Sequence, residues 1–154
     1  MSRARLHVAH ATTVGVLAVV LLAGCSPQLP STESFTTAIP AALLDGDLGV
    51  IDATATNGVS GLAVDLDVTV TFDRGTVTAE ELARMLSIIV ESNNLSNPDD
   101  LKIIASDGST EDEHDRVDLG AVGVELGFER NDEFPEWFTG NWDDVVAFVD
   151  KAEK

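Results

Sequence analysis

Residues 62–72 constrain the fold of this chain more than any other stretch. Leu62, Val64, Leu66, Val68, Val70 and Phe72 alternate with Ala63, Asp65, Asp67, Thr69 and Thr71. Eleven residues of period two predict a strand with one buried face and one wet face. Its apolar row needs a second layer to bury it, and the next segment is built to supply one. Thr78-Ala79-Glu80-Glu81 reads as a capping box, in which the Thr78 hydroxyl caps the Glu81 N–H and the Glu81 carboxylate reaches back. Leu82, Met85, Leu86, Ile89 and Val90 then recur at helical spacing. The pattern predicts a helix over 79–93, stopped by Asn93-Asn94 and Asn97-Pro98.

The remaining segments are read in the same way. Glu33–Asp45 predicts a first helix with Phe35, Ile39, Leu43 and Leu44 on one side and Pro40 disturbing its middle. Leu48–Thr56 predicts a strand, because Ile51, Ala53 and Ala55 alternate with Asp52, Thr54 and Thr56. Asn57-Gly58 is a turn signal and Gly61 closes a short loop, which makes a hairpin with the long strand. Asp73-Arg74-Gly75 ends that strand. Leu101–Ala105 is a short strand, followed by an acidic loop over Asp107–Asp118. Residues 119–129 fit two periods: Val122, Val124, Leu126 and Phe128 alternate, while Leu119, Val122 and Leu126 line one helical face ending at Gly127. The helix is the preferred reading, although Gly120 and Gly123 weaken it. Asn141 caps a last helix over 142–152, with Trp142, Val145, Val146 and Val149 on its buried side. The order predicts an α+β fold: a small antiparallel sheet, the hairpin plus one or two further strands, packed against helices as a two-layer sandwich. No internal repeat is evident.

The first 25 residues differ from the rest in kind. Met1–His10 is basic through Arg3 and Arg5, and residues 11–24 are an uncharged apolar run of 14 residues. That run is too short to span a bilayer, which takes about 20 residues, and it fits the apolar core of a secretory signal peptide. Residues 1–24 are therefore read as a signal peptide. The tetrapeptide Leu22-Ala23-Gly24-Cys25 resembles the lipobox of bacterial lipoproteins. The resemblance implies cleavage between Gly24 and Cys25, a diacylglyceryl group on the Cys25 sulfur and acylation of the new N-terminus. Two or more acyl chains hold a protein stably on a membrane, whereas one binds only marginally. Ser26–Thr32 is rich in Pro and Ser and uncharged, so residues 25–32 read as a lipidated cysteine and tether. Residues 33–154 form one globular domain. The implied address is the extracytoplasmic face of the cell membrane, and Ser26 after the cysteine permits the outer membrane if the cell is Gram-negative. Over about residues 45–128 the order of elements resembles uncharacterised lipoproteins of actinobacteria. There the segment matching Val117–Gly127 is often a helix ending in a Leu-Gly pair, here Leu126-Gly127. The match rests on pattern and brings no known activity.

Composition narrows the function classes. The chain has 27 acids against 9 bases. Without Arg3 and Arg5, residues 25–154 keep 27 acids and 7 bases, a net charge of −20. Nucleic-acid binding is disfavoured, because a polyanion needs a surplus of Lys and Arg to replace its counterions. The single cysteine excludes a disulfide framework and an all-Cys zinc site. No cofactor is implied, since no Gly-rich phosphate loop opens a strand-to-helix turn.

Four groups of residues merit attention as sites. Glu111-Asp112-Glu113-His114-Asp115, with Asp107 and Asp118, is acidic enough to hold a hard cation such as Ca²⁺, but the spacing does not fit an EF-hand and a solvated loop is the favoured reading. His114 is the one histidine outside the leader, so neither a multi-His zinc site nor a supported Ser-His-Asp triad is available. Asp65 and Asp67 share the wet face of the long strand about 6–7 Å apart, given a rise of ~3.3 Å per residue, a spacing compatible with glycosidase carboxylates. Exposed strand faces are routinely acidic, and no stacking aromatics lie nearby in sequence. Finally, Phe134, Trp137, Phe138 and Trp142 place four of the eight aromatics within nine residues. Buried, they plug one end of the core; exposed, Trp137, Phe138 and Trp142 form an interaction surface for an envelope partner. The expectation overall is a non-catalytic binding or structural module, with a divalent-cation binder and an envelope hydrolase as alternatives. The oligomeric state is left open.

Overall fold

The alternating stretch becomes the second of four strands. A computed structural model describes residues 34–95, 97–110, 115–152 and 154. The leader, Gly24, Cys25 and the tether lie outside the described residues, as do Glu111, Asp112, Glu113 and His114. The elements run α1 (Phe35–Asp45), β1 (Val50–Ser60), β2 (Ala63–Phe72), α2 (Ala79–Ser92), β3 (Asp100–Asp107), α3 (Leu119–Glu125), β4 (Phe138–Asn141) and α4 (Trp142–Ala152). The sheet order is β1-β2-β3-β4.

The fold is α+β, with one difference from the sequence reading: the sheet is mixed. β1–β2 and β3–β4 are antiparallel, but β2–β3 is parallel. The cause is α2, which carries the chain back along the sheet before β3 starts, as a crossover between parallel strands must. The capping box that starts α2 forms as the sequence predicts: Glu81 N–H donates to the Thr78 hydroxyl, and Thr78 N–H donates to the Glu81 carboxylate at 2.8 Å. That carboxylate also accepts from Arg74 at 2.6 Å, and Arg74 donates to the Leu48 carbonyl, so one side chain ties the segments before β1 and after β2 to α2. The Thr78 backbone hydrogen bond, with help from Arg74, holds the Glu81 carboxyl below its usual range against the opposing effect of burial.

Burial follows the pleat on one face. Leu66, Val68, Val70 and Phe72 of β2 join Leu101, Ile103 and Ala105 of β3 under α1, α2 and α4. The β1 pattern shifts where the sequence reading placed Ile51 inside. The register slips between Val50 and Asp52, so Val50 turns in and Ile51 turns out, 55% exposed. The hairpin turn also moves. Asn57-Gly58 lies within β1, paired with Leu66 and Asp65, and the reversal falls on Gly61-Leu62 between the paired Ser60 and Ala63. Gly61 has φ 68°, the positive value that the first central position of a type II′ turn needs. Helix α1 runs through Pro40 without a break.

Residues 119–125 are helical, with Asp118 capping the Ala121 N–H at 2.8 Å and Gly127 at φ 94° beyond the C-cap. The two glycines that weaken the helix by propensity fit the packing around it, Gly120 strictly and Gly123 closely. A Cβ on Gly120 would lie 2.0 Å from the Pro135 carbonyl oxygen, and one on Gly123 would lie 3.0 Å from the Phe138 ring. β4 follows, a strand that the sequence reading did not foresee.

Candidate functional site

At the β4 edge the sheet, the segment after α3 and one side of α4 enclose a cleft of about 830 Å³. Asp100, Lys102, Thr139 and Asn141 form its sheet wall, Phe128–Asn131 its rim, and Asp144, Phe148 and Lys151 its helical wall. Each wall has a local cause. Asp99, just before β3, fastens the sheet side: its backbone and side chain clasp Val64 of β2, and its carbonyl accepts from Trp142 N–H at 3.0 Å and from the Asn141 amide at 3.1 Å. The Asn141 side chain also caps α4 by accepting from Asp143 N–H at 3.1 Å, as the sequence predicts. Gly127 lets the chain turn back, and Phe128 N–H closes on the Gly123 carbonyl at 3.0 Å. The Phe128 ring then sits edge-on to Phe138 at 5.0 Å and to Phe148 at 5.4 Å.

The cleft combines both signs of charge. Lys102, Arg130 and Lys151 are three of the seven bases in residues 25–154, and Asp100, Glu129 and Asp144 stand among them. Arg130 is fixed by the Pro135 carbonyl at 2.9 Å and by Asp118 at 2.8 Å. Lys102 forms an ion pair with Asp65 from the neighbouring strand. That hydrogen bond, reinforced by the charges of Asp65, Asp67 and Asp100, raises the Lys102 ammonium above its usual range despite partial burial. Lys102 therefore stays charged throughout the physiological range. Among the described residues, those lining the cleft include no His, Cys or Ser. Fixed ammonium and guanidinium groups, carboxylates and two phenyl rings can hold a ligand that is both charged and partly apolar.

The sequence-derived candidates fall out differently. Asp65 does lie on the face opposite the buried Leu66, Val68, Val70 and Phe72 row, but it is not wet there: its side chain is 7% exposed and locked to Lys102. Neither Asp65 nor Asp67 lines the cleft. Of the acidic loop, Asp107 accepts from the Ser109 N–H and hydroxyl in a local turn, and Asp118 is engaged as a helix cap and by Arg130. Among the described residues no three His, Cys, Asp or Glu side chains are placed to hold a metal ion. The aromatic cluster splits. Phe138 and Trp142 are core residues, 1% and 8% exposed, because β4 and α4 turn them inward, and they are not an interaction surface. Trp137 is half-buried and stacks on Phe134 with ring centroids 4.0 Å apart. Sequence reasoning missed Lys102, Lys151, Phe128 and Phe148 as site residues. One signal was available: Phe148 lies at the margin of the Trp142, Val145, Val149 stripe of α4, half-buried where the buried row ends.

Among the described residues no helix is long and apolar enough to cross a membrane. Comparison with protein-family models, curated proteins and solved structures finds no match to this chain.

Proposed function

We propose that this chain is a lipid-anchored, extracytoplasmic binding module of the cell envelope, without catalysis of its own, and that its ligand seats in the cleft between β4, α4 and residues 128–131. The gathering of Lys102, Arg130 and Lys151 in one cleft, beside Phe128 and Phe148, carries this reading. In a segment with 27 acids and 7 bases, the cleft lining holds three of each, so bases are enriched there. Carboxylates between them select a ligand with charges of both signs, and the phenyl rings favour an apolar flank. A short peptide has that chemistry. The anchor rests on the Leu22-Ala23-Gly24-Cys25 resemblance, and with a net charge of −20 on residues 25–154 the acyl chains must hold the domain against anionic lipid.

Both halves are testable on the full chain. Cells fed a radiolabelled fatty acid incorporate label into the wild-type protein and not into Cys25→Ala; equal labelling refutes the anchor. For the cleft, amide NMR spectra of the isotope-labelled chain are followed while a pool of tri- to pentapeptides is added. The expected shifts are at Thr139, Gly140, Ala147 and Lys151, and Lys151→Glu weakens them. An unchanged spectrum at millimolar peptide refutes the cleft.

A further inference from the structure

Among the described residues nothing pairs with the opposite edge of the sheet, and its geometry names its own partner. β1 is an edge strand of eleven residues, Val50–Ser60, with no Lys and no Pro. Natural edges are normally short or blocked by such residues or by bulges. The single irregularity here, at Val50–Asp52, leaves the strand regular from Ala53 onward.

Which backbone groups face outward follows from the ladder. Val64 directs its amide and carbonyl toward β3, donating to the Asp99 carboxylate and accepting from Asp99 N–H, both at 2.7 Å. Val59, paired opposite Val64, therefore points its own groups the other way, off the sheet. Alternation gives Asn57, Ala55 and Ala53 the same orientation. Among the described residues nothing bonds these outward amides and carbonyls.

Two more observations fall on the same edge. Among the described residues the large apolar side chains left exposed are Leu44, Ile51, Val59, Leu62, Val124 and Phe134, and the first four belong to α1, β1 and the hairpin turn. Charge is also sparse there. Residues 34–63 carry 3 acids in 30 residues, whereas residues 64–154 carry 23 in 91. Two copies of a strongly acidic protein repel over most of their surface, and least here.

We propose that β1 pairs with β1 of a second copy, antiparallel about a two-fold axis at Thr56, to form one continuous sheet across the dimer. That register is the one in which the outward set is symmetric. Ala55 pairs with Asn57 of the second copy and Ala53 with Val59, so every outward group of both strands finds a partner. Val59, 69% exposed in one copy, packs beside the small Ala53 of the other, and the strand's one charge, Asp52, faces Ser60 across the axis. The arrangement is isologous and closed, so it stops at two copies.

Cysteine cross-linking in intact cells expressing the full chain tests the register. Thr56→Cys places two thiols opposite each other on the axis, within reach of a disulfide. Thr54→Cys places them several residues apart on opposite sides of the axis. Under a mild oxidant, Thr56→Cys is expected to give at least tenfold more covalent dimer than Thr54→Cys or the unsubstituted chain. Adding Val59→Lys to Thr56→Cys should abolish the cross-link while leaving the thermal midpoint of the monomeric domain unchanged, which separates lost pairing from lost folding. Equal cross-linking at positions 54 and 56, no dimer at either, or an adduct with a different protein in place of the dimer would each overturn the proposal.

Discussion

The two edges of the sheet are built on opposite principles. β1 is long and closed locally by a two-residue turn onto its neighbour in sequence. β4 has four residues, pairs with a strand 31 or more positions away, and is held in place by α3, α4 and Asp99. One edge is left open by a simple hairpin, and the other is walled into a cleft by tertiary contacts. Position at a sheet edge thus does not define a surface; what packs beside the edge does.

Substitutions on the two sides should separate these principles, with the larger effects at β4. Phe138→Ala removes a buried ring that contacts Phe128, and it is expected to cost about 3–5 kcal/mol. A loss below about 1 kcal/mol in denaturant titration would mean that β4 is not part of the cooperative core. Gly120→Ala drives a methyl group toward the Pro135 carbonyl and should cost about 1–3 kcal/mol, although alanine is the better helix former. A gain in stability would show that α3 can back away from the chain leading into β4.

Lys102→Met leaves the Asp65 carboxylate buried without its partner, at a cost of about 1–2 kcal/mol, toward the lower end because Lys102 itself is one-third exposed. This loss depends on pH in a defined direction. The folded-state ammonium is raised above the usual 10.5, so its contribution is complete below that value and lost as the pH climbs through the folded-state value. The gap between wild type and Lys102→Met in thermal melts should therefore be constant from pH 7 to 9 and narrow in strong alkali. A gap that stays unchanged in strong alkali would show that the loss does not depend on the Lys102 charge. The smallest effect is expected at the β1 edge. Gly61→Ala meets no atom within 4 Å, so only the positive φ opposes it, at about 1 kcal/mol. A loss as large as that of Phe138→Ala would mean that the hairpin also depends on the rest of the core.

The elements that were legible in the sequence are those whose pattern and boundaries are local. Leu66 to Phe72 announce β2 by alternation, Thr78 and Glu81 announce the start of α2, and Asn141 announces α4. Asn57-Gly58 misled because its turn propensity is real, but Gly61-Leu62 closes the hairpin in a register that buries Ala53 and Ala55. Gly120 and Gly123 look like helix breakers until Pro135 and Phe138 lie against them. Asp65 looks like a surface carboxylate because its partner, Lys102, comes from a strand that reaches it only through a parallel crossover.

The cleft was illegible for the same reason. Its cations stand at positions 102, 130 and 151, and no spacing rule links them. By itself the sequence determined α1, β2, α2, β3 and α4, the α+β class and the charge of the domain, since these depend on residues within a few positions of one another. Only the tertiary structure decided the parallel pairing of β2 and β3, the burial of Asp65, Phe138 and Trp142, and the two different edges. Those outcomes depend on contacts between distant segments, whose energies exist only once the chain has brought them together.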